Sequence, residues 1–131
     1  MIIDAEMTLD NRKAITATGN SVNIVDLGEE ISWASRASNK VVTIHITTTF
    51  DLGTIQPVLQ GSADEAFTSP VEIMRGGKVT APAEGHRWRL QWRPRKGSGL
   101  RYARVQYLVT EDTPTTGRIS AYTAEINEGI K

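Results

Sequence analysis

Four sets of residues in this chain have side chains suited to chemistry: two histidines, a few paired carboxylates, two glycine-bearing loops and a dense group of arginines. His45 and His86 lie far apart and belong to no H-x-x-x-H or H-E-x-x-H motif, so the spacing supports neither a metal site nor acid/base catalysis. Asp64-Glu65 and Glu29-Glu30 would hold Ca²⁺ only with further oxygen ligands, and paired carboxylates in loops are more commonly solvated. Gly76-Gly77-Lys78 and Gly97-Ser98-Gly99 lack the G-x-x-x-x-G-K-[ST] phosphate cradle, and neither is a G-x-S-x-G nucleophile elbow. They read as turns. With no cysteine in the chain, disulfides, thiolate metal sites and thiol catalysis are excluded. No cofactor is expected, and an enzyme is the least supported class.

The arginines are different. His86 to Arg93 reads His-Arg-Trp-Arg-Leu-Gln-Trp-Arg, so Trp88, Leu90 and Trp92 alternate with Arg87, Arg89, Gln91 and Arg93. That is the period of a strand with one buried and one solvated face. The cations continue with Arg95, Lys96, Arg101 and Arg104, and no Asp or Glu occurs from Gly85 to Thr110. A chain of zero formal charge thus carries a positive strip. One reading is a solvated sheet face with Glu opposite on a neighbouring strand. The other is a specific contact with a carboxylate-rich protein surface, which the flat guanidinium fork grips in bidentate fashion. Nucleic acid fits less well, because the alternation puts both tryptophans on the face opposite the arginines and the overall charge is balanced.

The elements that must position these residues are short and β-rich. Val41 to Thr49 alternates Val42, Ile44 and Ile46 with Val41, Thr43, His45 and Thr47, nearly all β-branched. Tyr102 to Thr110 alternates again, and Arg118 to Ile126 gives a final strand. A strand pair or one bent strand is expected over 14–27. A further strand is expected over 54–60, with Pro57 marking an edge or a bulge. A polar loop over 61–70 holds Phe67. Two short strands over 71–82 follow, and 29–40 reads as loop. About eight short strands separated by turn residues predict a single all-β domain, a β-sandwich or jelly roll of antiparallel strands. At 131 residues there is room for one core. Residues 1–13 mix Ile2, Ile3, Met7 and Leu9 with charge and read as an N-terminal arm, leaving 14–131 as the β domain. The first residues lack the pattern of a signal peptide, and no run approaches a membrane span, so the expectation is a soluble chain not exported by the general route.

The order of these pieces resembles a known family. The opening Met1-Ile2-Ile3-Asp4-Ala5-Glu6, the stretch from Ala17 to Asp26-Leu27-Gly28, the segment Val58-Leu59-Gln60 to Glu65-Ala66-Phe67-Thr68-Ser69-Pro70 and the late Arg101 to Val109 resemble tailed-phage capsid cement, or decoration, proteins. The resemblance implies a β-jelly-roll on the outer surface of the virion's icosahedral capsid. It would be a homodimer or homotrimer at a local symmetry axis, bridging major capsid protein subunits and catalysing nothing. The family's strand matching Arg87 to Arg93 is more apolar, so the cations here are a departure. The contact residues expected for shell or sister subunit are Ile2, Ile3 and Met7 from the arm and Arg87, Arg89, Arg93, Arg95 and Lys96 from the strip, with no nucleic acid and no membrane as partner. The rival is a carbohydrate- or receptor-binding jelly roll using Trp33 with Asp64 or Glu65.

Overall fold

The computed structural model describes residues 8–26, 40–93 and 99–125, and among these the regular structure is all β. Ten strands follow in order: β1 (Thr8–Ala14), β2 (Gly19–Asn20), β3 (Val25–Asp26), β4 (Lys40–Thr48), β5 (Thr54–Ser62), β6 (Val71–Arg75), β7 (Val79–Thr80), β8 (Arg87–Gln91), β9 (Tyr102–Thr110) and β10 (Arg118–Glu125). No helix among the described residues is long and apolar enough to cross a membrane.

Alternation decides the layers. Val42, Ile44 and Ile46 of β4 are wholly buried, as are Ala103, Val105 and Tyr107 of β9 and Ile119 and Ala121 of β10. A strand sends alternate side chains to opposite faces, so each of these strands has one dry side and must press it against another layer. Two antiparallel sheets result. One runs β1-β10-β4-β8, and the other β2-β9-β5-β6, with β3 also on β9 and β7 also on β5. Leu9, Phe50, Ile55, Leu59, Trp88, Leu90, Trp92 and Leu100 fill the space between them. The fold is a β-sandwich.

Three expectations need correction. Residues 8–13 are not part of an arm, because Thr8–Ala14 is a strand paired with β10, and residues 1–7 lie outside the described residues. Its register shifts on both sides of Asp10, so Leu9 and Asp10 are both buried although they are neighbours. The polar composition that suggested an arm hides a bulged edge strand. Second, of the two forms expected over 14–27, the described part to Asp26 is not a strand pair closing on itself but one interrupted strand. It lies along β9 as two separate pairings, Gly19 with Tyr107 and Val25 with Ala103. Third, Pro57 lies in a central strand, since β5 pairs β9 on one side and β6 and β7 on the other. The Pro57 carbonyl accepts from the Gly76 N–H at 2.9 Å, so its missing N–H points to the β6/β7 side. There the neighbouring chain leaves the ladder between Arg75 and Val79. No bond to β9 is lost, which is why the proline is tolerated.

A buried side-chain contact crosses the sandwich. The Tyr107 hydroxyl on β9 donates to Asp10 Oδ2 on β1 at 2.6 Å, and the Val22 N–H donates to Oδ1 at 2.8 Å. Burial pushes the Tyr107 phenol well above its ordinary range, and the Asp10 charge and hydrogen bond add to the shift. A raised native pKa means that the folded state keeps a proton that the unfolded chain begins to release near pH 10, so stability is level below that pH and falls above it. In urea denaturation followed from pH 8 to pH 11.5, stability should fall by up to about 1.4 kcal/mol per pH unit more in the native protein than in Tyr107→Phe. Equal slopes would contradict this account. Tyr107→Phe should also cost about 1–3 kcal/mol at neutral pH, because a buried carboxylate loses a donor.

Candidate functional site

The arginine-bearing strand is β8, the edge of the four-stranded sheet. Its alternation holds: Trp88 and Leu90 are buried, and Arg87 and Arg89 are exposed. Strand pairing ends at Gln91, two residues sooner than the sequence pattern suggests, but Trp92 is still buried and Arg93 still exposed. Packing fixes these directions. Trp88 Nε1–H donates to the Gly77 carbonyl at 2.9 Å, and the His86 ring stands edge-on to Trp88 at 4.6 Å between centroids. The Trp92 ring lies so close to Gly61 that a Cβ there would stand 2.8 Å from it.

Within the described β4–β8 ladder no acid stands opposite an arginine. Arg87 pairs with His45, Arg89 with Thr43 and Gln91 with Val41. The expected facing Glu is absent from this ladder. Among the described residues, Arg87, Arg89 and Arg93 form no ion pair with any carboxylate.

The continuous strip divides in two. Arg101 and Arg104 stand at β9 in the other sheet, where both are engaged. Arg101 forks onto Asp26, with Nε–Oδ1 and Nη2–Oδ2 both 2.8 Å. The Arg104 Nε donates to Gln60 Oε1 at 2.8 Å, and its guanidinium lies 4.4 Å from the centroid of the Phe67 ring. The Gln60 amide continues to Gln106 at 3.3 Å. On β6, Arg75 closes on Glu72 at 2.7 Å and reaches Gln56 at 3.3 Å. The outward side of the six-stranded sheet therefore satisfies much of its own charge.

The carboxylates considered for a ligand site are structural where they are described. Ser62 Oγ donates to Asp64 Oδ1 at 2.8 Å, and Thr68 Oγ1 donates to Oδ2 at 2.7 Å, which ties the loop that seats Phe67 over Arg104. The Thr68 and Ser62 hydrogen bonds hold Asp64 below the ordinary carboxylate range. Asp51 is lowered in the same way, chiefly by the Thr115 hydroxyl and then by the Thr116 and Thr115 N–H groups. No cluster of three metal-ligating side chains occurs among the described residues. Ile2, Ile3, Met7, Arg95 and Lys96, like Trp33 and Glu29-Glu30, lie outside the described residues.

Two arginines that the sequence reading left out join the picture. Arg118 opens β10 and donates from Nη1 to the Arg12 carbonyl at 2.9 Å, while the Arg12 N–H donates to Ser120 Oγ at 3.0 Å. Both arginines are exposed at the β1–β10 side of the sheet that carries Arg87 and Arg89. The period of Arg118, Ser120 and Tyr122 was readable. That β10 would lie beside β4, and so near β8, was not. No protein-family model matches the chain, and no curated protein matches it.

The lowered carboxyls set an acid limit. A depressed native pKa contributes stability above the unfolded value near pH 3.9, and that stability is lost as pH falls below it. Thermal melts from pH 6 to pH 2 should show a shallower acid loss in the Asp51→Asn/Asp64→Asn double variant than in the native protein. Parallel curves would contradict the assignment.

Proposed function

We propose that this chain is a cement protein of a tailed-phage head, binding the outside of the shell and bridging major capsid subunits without catalysis. The observation that carries the reading is Arg87, Arg89 and Arg93, held outward from a tryptophan-anchored edge strand and paired with no described carboxylate. The sheet orders β1-β10-β4-β8 and β2-β9-β5-β6, with the chain passing between layers at most connections, support a jelly roll as the finer architecture. Ile2, Ile3, Met7, Arg95 and Lys96 belong to the proposed contact on the sequence alone.

The energetics favour many weak contacts. An exposed ion pair contributes about 0–1 kcal/mol and is screened by salt. Two or three linked copies on a repeating lattice multiply such contacts by about 100-fold or more in avidity. A homodimer or homotrimer on a symmetry axis supplies the linkage.

Purified protein added to expanded phage heads stripped of their outer proteins should bind to saturation at a fixed ratio to the major capsid protein. Reversal of two contact charges in Arg89→Glu/Arg93→Glu should lower apparent affinity about tenfold or more at moderate salt. Failure of the native protein to saturate the heads overturns the function. Unchanged binding by the variant overturns the role of the arginines.

A further inference from the structure

The two outward faces of the sandwich differ in how they treat charge. On the six-stranded sheet, Arg75 meets Glu72, Arg101 meets Asp26, and Arg104 meets Gln60 and the Phe67 ring. On the four-stranded sheet, the exposed charged residues of the described strands are Arg12, Arg87, Arg89 and Arg118. The one described carboxylate in those strands with a defined side chain is Asp10, which is 2% exposed and held by Tyr107 and Val22.

Register places Arg87, Arg89 and Arg118 on one surface, and hydrogen bonds to Ser120 and Arg118 set Arg12 beside them. Across the middle of the sheet Arg89 stands beside Thr43, Thr43 beside Tyr122 and Tyr122 beside Thr8. One row away Arg87 stands beside His45 and His45 beside Ser120, whose hydroxyl accepts from the Arg12 N–H. With about 4.8 Å between strands, β8 lies about 10 Å from β10 and about 14 Å from β1. Arg118 lies four residues from Tyr122 along β10, about 14 Å, so the four guanidinium groups span a patch about 17 Å across, in which near neighbours lie within about one Debye length of 10 Å at 0.1 M salt. Tyr122 lies half-buried in its centre, and Thr43 is only 6% exposed although it points outward. Arginine around a tyrosine, with carboxylates kept away, is the composition of an interface centre.

We propose that the outward face of the four-stranded sheet docks flat on an acidic protein surface, with Arg87 and Arg89 gripping on one side, Arg12 and Arg118 on the other and Tyr122 packing between them. Charge complementarity selects the partner. Among the described residues these four cations meet no carboxylate, so an acidic surface would find them unopposed. A protein suits this face better than a nucleic acid, because one half-buried aromatic offers no series of stacking platforms and the whole chain has zero formal charge. The six-stranded sheet then faces solvent. Taking the shell as the source of the acidic groups rests on the cement reading; the face and the chemistry of its partner do not.

The test uses the full chain and a polyglutamate peptide as probe, followed residue by residue in heteronuclear NMR at low salt. The expected result is a set of shifted amides at Thr43, His45, Arg87, Arg89, Ser120 and Tyr122, with those from Arg101 to Gln106 unmoved. Arg118→Glu should weaken the peptide about fivefold, and Lys78→Glu, the same charge change away from this face, by less than about twofold. Shifts centred on Arg101 to Gln106, no binding, or tighter binding of a single-stranded oligonucleotide at the same face would each overturn the proposal. Stripped heads separate it from the cement reading. Heads that take up native and Arg118→Glu protein equally well sink the face and spare the function. Peptide shifts on this face together with heads that bind no protein sink the function and spare the face.

Discussion

Every strand in this molecule has only two directions for its side chains, and the core claims one of them. Val42, Ile44 and Ile46 of β4 cannot leave the space between the sheets without exposing three aliphatic side chains, each contributing about 1.5–3 kcal/mol by burial. That commitment fixes Thr43, His45 and Thr47 outward, and through the β4–β8 register it fixes Arg87 and Arg89 outward as well. The outward surface of this sheet is thus set by the interior. A one-residue slip of β8 would bury two guanidinium groups and expose Trp88 and Leu90, so the register is strongly specified.

The same logic reaches the polar contact across the core. β1 is an edge strand with few apolar residues, and on alternation alone either Leu9 or Asp10 would point outward. Its register shifts turn both inward, where Leu9 joins the core and Asp10 meets the Tyr107 hydroxyl. Leu9 and Asp10 thus anchor the edge at adjacent positions, beside the bonds that the Asn23 N–H gives to the Leu9 carbonyl and Lys13 Nζ gives to the Asn20 carbonyl. Because the carboxylate is occupied there, it does not offset the arginines on the outside of the same sheet.

The legible parts of the sequence were those governed by period. The two faces of β4, the outward arginines and inward tryptophans of β8, and the apolar side of β9 follow from alternation within each strand. What could not be read was adjacency. Arg101 looks like a continuation of Arg93 along the chain, yet its partner is Asp26, 75 residues away. Arg12 and Arg118 are 106 residues apart and share a hydrogen bond. Pro57 looked like an edge signal because proline removes a donor. A break in the neighbouring chain at that position provides the same tolerance inside a sheet.

The proposal under test is that the sandwich attaches to an acidic shell through the sheet whose arginines meet no carboxylate among the described residues. Cryo-electron microscopy of heads decorated with this protein tests it most directly. The account predicts density in which β1, β10, β4 and β8 lie against the capsid, with Arg87, Arg89 and Arg118 next to carboxylates and β5 and β9 toward solvent. A decorated head in which the β5–β9 sheet contacts the shell, or in which acidic groups lie nowhere near these arginines, would contradict it.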